Sequence, residues 1–327
     1  MKQQIALVFF ILLWFPSLLQ AQEKGSGEKI PVQAIIADSK YPPETKERLS
    51  AGSWLSDLIF GKADPEINKP VFAIRDDEGT LWILNQGNGQ VSHTRKKDNR
   101  LSIACGGETF PSLVAGCNIR GKGIAFTDSY LGKVFVANKN DPKEKALLLV
   151  EDLQQPTGIA HLESRNEIWI VETAAHRVAV YSDDGKLVKH VGGRGTSNGL
   201  FNFPTHICSD SEDRMYVVDA MNFRIQVFSP DGDFLTSFGK QGNVSGSMAR
   251  PKGIAVDEAG HIYVADALFN AVQVFDSEGN FLFHFGDSGD ESQLQMPMGV
   301  TTDIDGKIYI ADSYNNRIEI YRHEIKE

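Results

Sequence analysis

The chain has 327 residues, 41% of them hydrophobic, and its 33 Lys and Arg against 43 Asp and Glu give a formal net charge of −10. So acidic a balance excludes a dedicated binder of phosphate backbones, which needs clustered cations to displace counterions. The strongest basic run, His93 to Lys97, is short, lacks interleaved aromatics and reads as a solvated turn.

At the amino terminus Lys2 precedes an apolar run from Ile5 to Phe15, then Pro16 and the small residue Ala21. That order is a secretory signal pattern, and the run is shorter than the roughly 20 residues a membrane-spanning helix needs. The expected organisation is a signal peptide over 1–21, a lead-in over 22–50 and one folded unit over 51–327, placed in the periplasm or outside the cell without a membrane span. No cysteine follows Ala21 to carry a lipid. Export would allow a disulfide. Cys105 and Cys117, which bracket a loop containing Gly, Pro and Ser, are the expected pair, and Cys208 reads as an inert core thiol.

Two weak copies of a repeat come first, one at Lys69-Pro70-Val-Phe-Ala-Ile with Leu81-Trp-Ile-Leu-Asn85, the next at Gly121-Lys-Gly-Ile-Ala with Val134-Phe-Val-Ala-Asn138. From Gln155 the repeat is plain, with openers at Pro156, Pro204, Pro251 and Pro297 spaced by 46 to 48 residues. Each opener leads to an apolar run ending in an acid, at Glu172, Asp219, Asp266 and Asp312, and then to a third run. Turn signals such as Pro230-Asp-Gly232 separate the runs. Gly there supplies the positive φ of a tight hairpin.

Four short strands joined by hairpins make one antiparallel sheet, and strands such as His261-Ile-Tyr-Val-Ala-Asp266 are apolar at nearly every position, as in a sheet covered on both faces. Six such units stacked around an axis give an all-β fold, a six-bladed β-propeller. The last unit lacks a fourth strand. Trp54 to Gly61, which ends in Phe-Gly like Phe234 to Gly239, is the expected closing strand, with Val32 to Ile36 as the alternative.

Tyr216-Val-Val-Asp-Ala-Met-Asn-Phe-Arg-Ile-Gln-Val-Phe228 carries the pattern most fully, and the repeat resembles the NHL repeat of six-bladed propellers. The acid and Arg of that repeat recur five residues apart as Glu172 with Arg177, Asp219 with Arg224, and Asp312 with Arg317. A pair repeated in three blades reads as structural. Ala271 replaces the Arg after Asp266, and Asn85 and Asn138 stand where the first two units should have the acid.

The resemblance also raises an enzymatic possibility, the peptidyl-hydroxyglycine amidating lyases, whose zinc is held by histidines from several blades, a His directly following the blade-opening Pro. Those positions here are Val71, Lys122, Thr157, Thr205, Lys252 and Met298, and the lone His206 falls one place later. Zinc takes about three protein ligands even in an open site, so neither a metal nor another cofactor is expected, and no catalytic residue is assigned. The glycines Gly123, Gly158, Gly253 and Gly299 are expected to crowd the axis, with Lys122, Thr157, Thr205, His206 and Lys252 forming a site for an anionic or polar ligand. The expectation is a monomeric binding or sensor propeller for an unidentified protein, peptide or glycan, with a metal-dependent lyase or lactonase as the alternative.

Overall fold

The structure, a computed structural model, describes residues 34–41, 67–95, 100–287 and 293–324. Among them 24 strands form six antiparallel sheets of four. The sheets are the blades of a six-bladed β-propeller.

Blade I holds β2 (Pro70–Arg75), β3 (Leu81–Asn85), β4 (Gln90–Thr94) and β5 (Leu101–Ile103), and blade II holds β6 (Leu113–Ile119), β7 (Gly123–Asp128), β8 (Lys133–Asn138) and β9 (Leu147–Val150). Blade III has β10 (Pro156–Leu162), β11 (Glu167–Glu172), β12 (Arg177–Ser182) and β13 (Leu187–Val191). Blade IV has β14 (Ile207–Ser209), β15 (Met215–Asp219), β16 (Arg224–Phe228) and β17 (Phe234–Phe238). Blade V has β18 (Pro251–Val256), β19 (Ile262–Asp266), β20 (Ala271–Phe275) and β21 (Phe281–Phe285). Blade VI has β22 (Pro297–Thr302), β23 (Lys307–Asp312) and β24 (Arg317–Glu324), with β1 (Ala34–Tyr41) beside β24.

The second strand is among the most protected elements of every blade. In β3, β15 and β19 every residue is buried, because neighbouring blades cover both faces of the sheet. Trp82, Trp169, Tyr216, Tyr263 and Tyr309 stand three residues before the end of their strands and are almost wholly buried between blades.

Blade II departs from the expected register. Its innermost strand is β6, so Gly121-Lys122 is the turn between its first two strands, and Asp128, not Asn138, ends the second strand. Asp128 pairs across the hairpin with Lys133, which restores the five-residue offset. Gly123 lies at the start of β7, away from the axis, where its φ of 145° and the Ala137 carbonyl, 2.0 Å from any added Cβ, exclude a side chain.

The fourth place in blade VI is taken by β1, whose register runs from Ala34 opposite Glu324 to Tyr41 opposite Ile318. The expected closing segment, 54–61, lies outside the described residues.

Candidate ligand-binding site

Each blade leaves an acid or its amide at the end of the second strand. Glu172, Asp219 and Asp312 are buried, and the Nε of Arg177, Arg224 and Arg317 donates to them at 2.6, 2.8 and 2.8 Å. Each also accepts the backbone N–H of the linker entering its own blade, from Gln154 at 2.9 Å, Asn202 at 2.7 Å and Gln295 at 2.7 Å. Burial raises the Asp312 carboxyl against the pull of these donors. Asp266, without an Arg, accepts the N–H groups of Ala249 and Arg250 at 2.8 and 2.9 Å. In blade I the Asn85 Oδ1 accepts the Asn68 N–H at 3.2 Å. These groups hold linkers in place, since a buried carboxylate needs several donors to stay charged.

The axis is built from the residue two places after each strand opener. Those six residues are Phe72, Ala115, Gly158, His206, Gly253 and Gly299. In blades I, II, III, V and VI the ladder between first and second strands shifts register at this point. Blades I and IV face each other across the ring, and the rings of Phe72 and His206 stack with centroids 6.4 Å apart and planes at 25°. The four small residues make room: a Cβ on Gly299 would lie 2.7 Å from Phe72 Cδ2, and one on Gly158 would lie 2.5 Å from His206 Cα. Both ring nitrogens of His206 are buried without a partner, and burial, with Lys252 adding to it, lowers its pKa to about 3. His206 is therefore a neutral plug.

On one side of the plug, the face that carries the turns between first and second strands, the channel widens into a cavity of about 830 Å³. Phe72, Ile159, Ile207, Ile254 and Val300 give it an apolar lining, and Asn118, His161, Cys208, Ser209 and Thr302 add polar groups. Its lining includes eight carboxylates, Asp76, Asp77, Glu78, Asp210, Asp257, Glu258, Asp303 and Asp305, against one arginine, Arg75.

Four of these carboxylates hold their turns. Asp76, Asp210, Asp257 and Asp303 each cap backbone N–H groups two and four residues on. Each also accepts a hydrogen bond from the aromatic six residues later: Trp82 Nε1 at 2.9 Å, Tyr216 OH at 2.9 Å, Tyr263 OH at 2.8 Å and Tyr309 OH at 2.7 Å. Burial pushes Asp303 up, but the Lys307 N–H, the Tyr309 hydroxyl and Arg75 outweigh it and hold the carboxyl below its ordinary range. The outer acids present their charge to solvent. Lys139 lies 2.6 Å from Asp77 and 3.8 Å from Glu78, and Arg75 lies 2.7 Å from Asp305. The acids of the lining outnumber these cations, and a cleft with such an excess of one sign of charge focuses its field at the mouth.

The residues expected to form one site divide between the two ends of the plugged channel. Lys122 belongs to the acidic face, where its Nζ donates to the Asp183 carbonyl at 2.5 Å. His206 stands on the axis itself, Thr157, Thr205 and Lys252 lie beyond it, and none of the four lines the cavity. Thr157 is occupied between blades, its Oγ1 2.7 Å from Thr173 Oγ1 and its carbonyl accepting from Thr127 Oγ1 at 2.7 Å. Burial, then Arg250, lowers the Lys252 pKa. Lys122 thus sits in a turn between first and second strands, and Lys252 near the opening end of an innermost strand. Cys105 and Cys117 are free thiols, not a disulfide. Cys105 follows the outermost strand of blade I and Cys117 lies in the innermost strand of blade II. Among the described residues no group of three or more His, Cys, Asp or Glu is placed to hold a metal ion.

The acidic cavity was missed in the sequence, although its signal is there. Asp76, Asp210, Asp257 and Asp303 each precede an aromatic by six residues, and further acids crowd the intervening turns.

Two family models match the chain, one described as a 6-bladed beta-propeller over residues 200–285 and the NHL repeat over residues 294–321. No curated protein matches the sequence. Similar solved structures include a Bacteroides thetaiotaomicron VPI-5482 structural genomics protein of unknown function, with a TM-score of 0.67, 14% identity, and coverage of 90% of this chain and 77% of that one. An auxiliary nutrient binding protein from the same organism aligns with a TM-score of 0.64, 14% identity, and 78% and 69% coverage. A virginiamycin B lyase from Staphylococcus aureus aligns with a TM-score of 0.55, 17% identity, and 80% and 86% coverage. At these identities the likeness is one of fold.

Proposed function

We propose that this chain, a six-bladed β-propeller carrying NHL-type repeats, is an exported, non-catalytic binding protein that receives a cationic segment of a peptide or protein in its acidic cavity. The observation that carries this reading is the cavity of about 830 Å³ with eight carboxylates and one arginine in its lining. A volume of that size suits a few residues of extended chain. The apolar floor suits the aliphatic stem of a Lys or Arg, and the rim suits its charged head. Among the lining residues Phe72 is the only Phe, Tyr or Trp, which favours a peptide over a glycan that would stack on such platforms. Export rests on the amino-terminal signal pattern. A binding role agrees with the name of one neighbour in fold, an auxiliary nutrient binding protein.

The test is titration calorimetry of the full chain with trilysine and triglutamate peptides. Trilysine binding is expected, weakening with salt, and the combined variant Glu78→Gln, Glu258→Gln, Asp305→Asn should weaken it about tenfold, the sum of three rim ion pairs worth about 0.5 kcal/mol each. Binding of triglutamate instead, or an unchanged affinity in the variant, would reject the reading.

A further inference from the structure

The opposite face of the wheel bears the linkers that enter each blade and the turns between second and third strands. Two residues after the acid that ends the second strand, these turns expose Tyr130 (79% exposed), Met221 (54%), Leu268 (65%) and Tyr314 (60%), with Ala174 in blade III. Phe203, in the linker to blade IV, is also exposed. An exposed apolar side chain is ordinary when single, but here one position of the repeat supplies a large one in four of the six blades, Gly87 standing there in blade I. The topology brings these equivalent turns to one face of the wheel, where each apolar tip comes from a different blade, with the polar Asn222 and Asn315 following Met221 and Tyr314.

The charges on this face differ from those of the cavity face. Among the described residues Lys69, Arg194, Lys240 and Arg250 are exposed here. Among the described residues the exposed carboxylates here are Glu151, Asp152 and Asp287, of which Glu151 lies 3.5 Å from Lys133 and Asp287 lies 3.0 Å from His284.

We propose that this face docks onto an anionic lipid bilayer, its ring of Tyr, Met and Leu tips entering the interface while the surrounding Lys and Arg meet the headgroups. Tips from separate blades on one face fit a flat, deformable target better than a peptide, which needs a continuous groove, and a second copy would set like charges against each other. Tyr and long aliphatic side chains with basic neighbours are the types that settle at a membrane–water boundary. The proposal stands apart from the cavity reading, since it uses the other end of a plugged channel.

Cosedimentation of the full chain with phosphatidylcholine–phosphatidylglycerol vesicles and with pure phosphatidylcholine vesicles tests it. Binding is expected to the anionic vesicles alone and to fall with salt. Met221→Ser with Leu268→Ser and Tyr314→Ser should lose at least tenfold. Lys240→Ala with Arg250→Ala should also lose about tenfold or more, since each cation near such a surface contributes about fivefold. Ile304→Ser, which removes an apolar side chain exposed on the cavity face, and the Glu78, Glu258, Asp305 variant should bind vesicles as the parent does. No binding to anionic vesicles, equal loss in Ile304→Ser, or capture of a soluble acidic protein by the ring without vesicle binding would each overturn the proposal.

Discussion

His206 places an imidazole on the axis with both nitrogens buried and unpartnered, a cost of about 1 to 3 kcal/mol for an unsatisfied polar group. Its folded pKa, lowered to about 3 by burial and Lys252, lies below the unfolded value near 6.5. The unfolded chain therefore takes up a proton that the native state refuses. This contribution to stability is complete above pH about 6.5 and is lost as pH falls toward the folded value, at up to about 1.4 kcal/mol per pH unit. His206→Phe, which can still stack on Phe72, should raise the melting temperature and flatten its decline between pH 6 and pH 4. Parallel melting curves of parent and variant across that range would contradict this. Asp219 is a structural residue of the opposite kind, accepting from Asn202 N–H, Asn222 Nδ2, Arg224 Nε and Gln226 Nε2. Asp219→Ala should cost about 3 to 5 kcal/mol, as breaking a buried pair does, measured by denaturant unfolding. A loss below about 1 kcal/mol would reduce it to a surface pair.

At the scale of elements, the strand beside β24 decides whether the ring is sealed. We expect β1 to close it, since an unpaired β24 would present a row of free backbone groups to other chains. Deletion of residues 1–41 should give an aggregation-prone protein in size-exclusion chromatography, while a monomeric deletion variant with unchanged melting would show that β1 is dispensable.

Much of this level was legible in advance. The recurring openers and acids gave the blade count because each blade must solve the same problem, tying an incoming linker to a buried carboxylate. Blade II was misread because Gly121-Lys-Gly-Ile-Ala copies an opener while Leu113 has replaced the Pro, and the Asp128 and Lys133 offset was the truer guide. The site was hardly legible. Residues near the openers were grouped as one lining, but Phe72 and His206 meet on the axis and divide the channel, a contact between blades I and IV that no local pattern reveals.

For the whole molecule, the plug gives two surfaces of different character. One is a cavity rimmed by acids, the other a face with apolar tips and exposed cations. The net charge of −10 is thus unevenly spread, and the wheel should turn its cavity face toward a cationic partner during diffusional encounter. The most direct measurement is a crystal structure of the protein soaked with trilysine. Density for a lysine side chain above Phe72, its ammonium among Glu78, Glu258 and Asp305, is the predicted result. An empty cavity with the peptide held instead at the Lys252 end of the channel would contradict it.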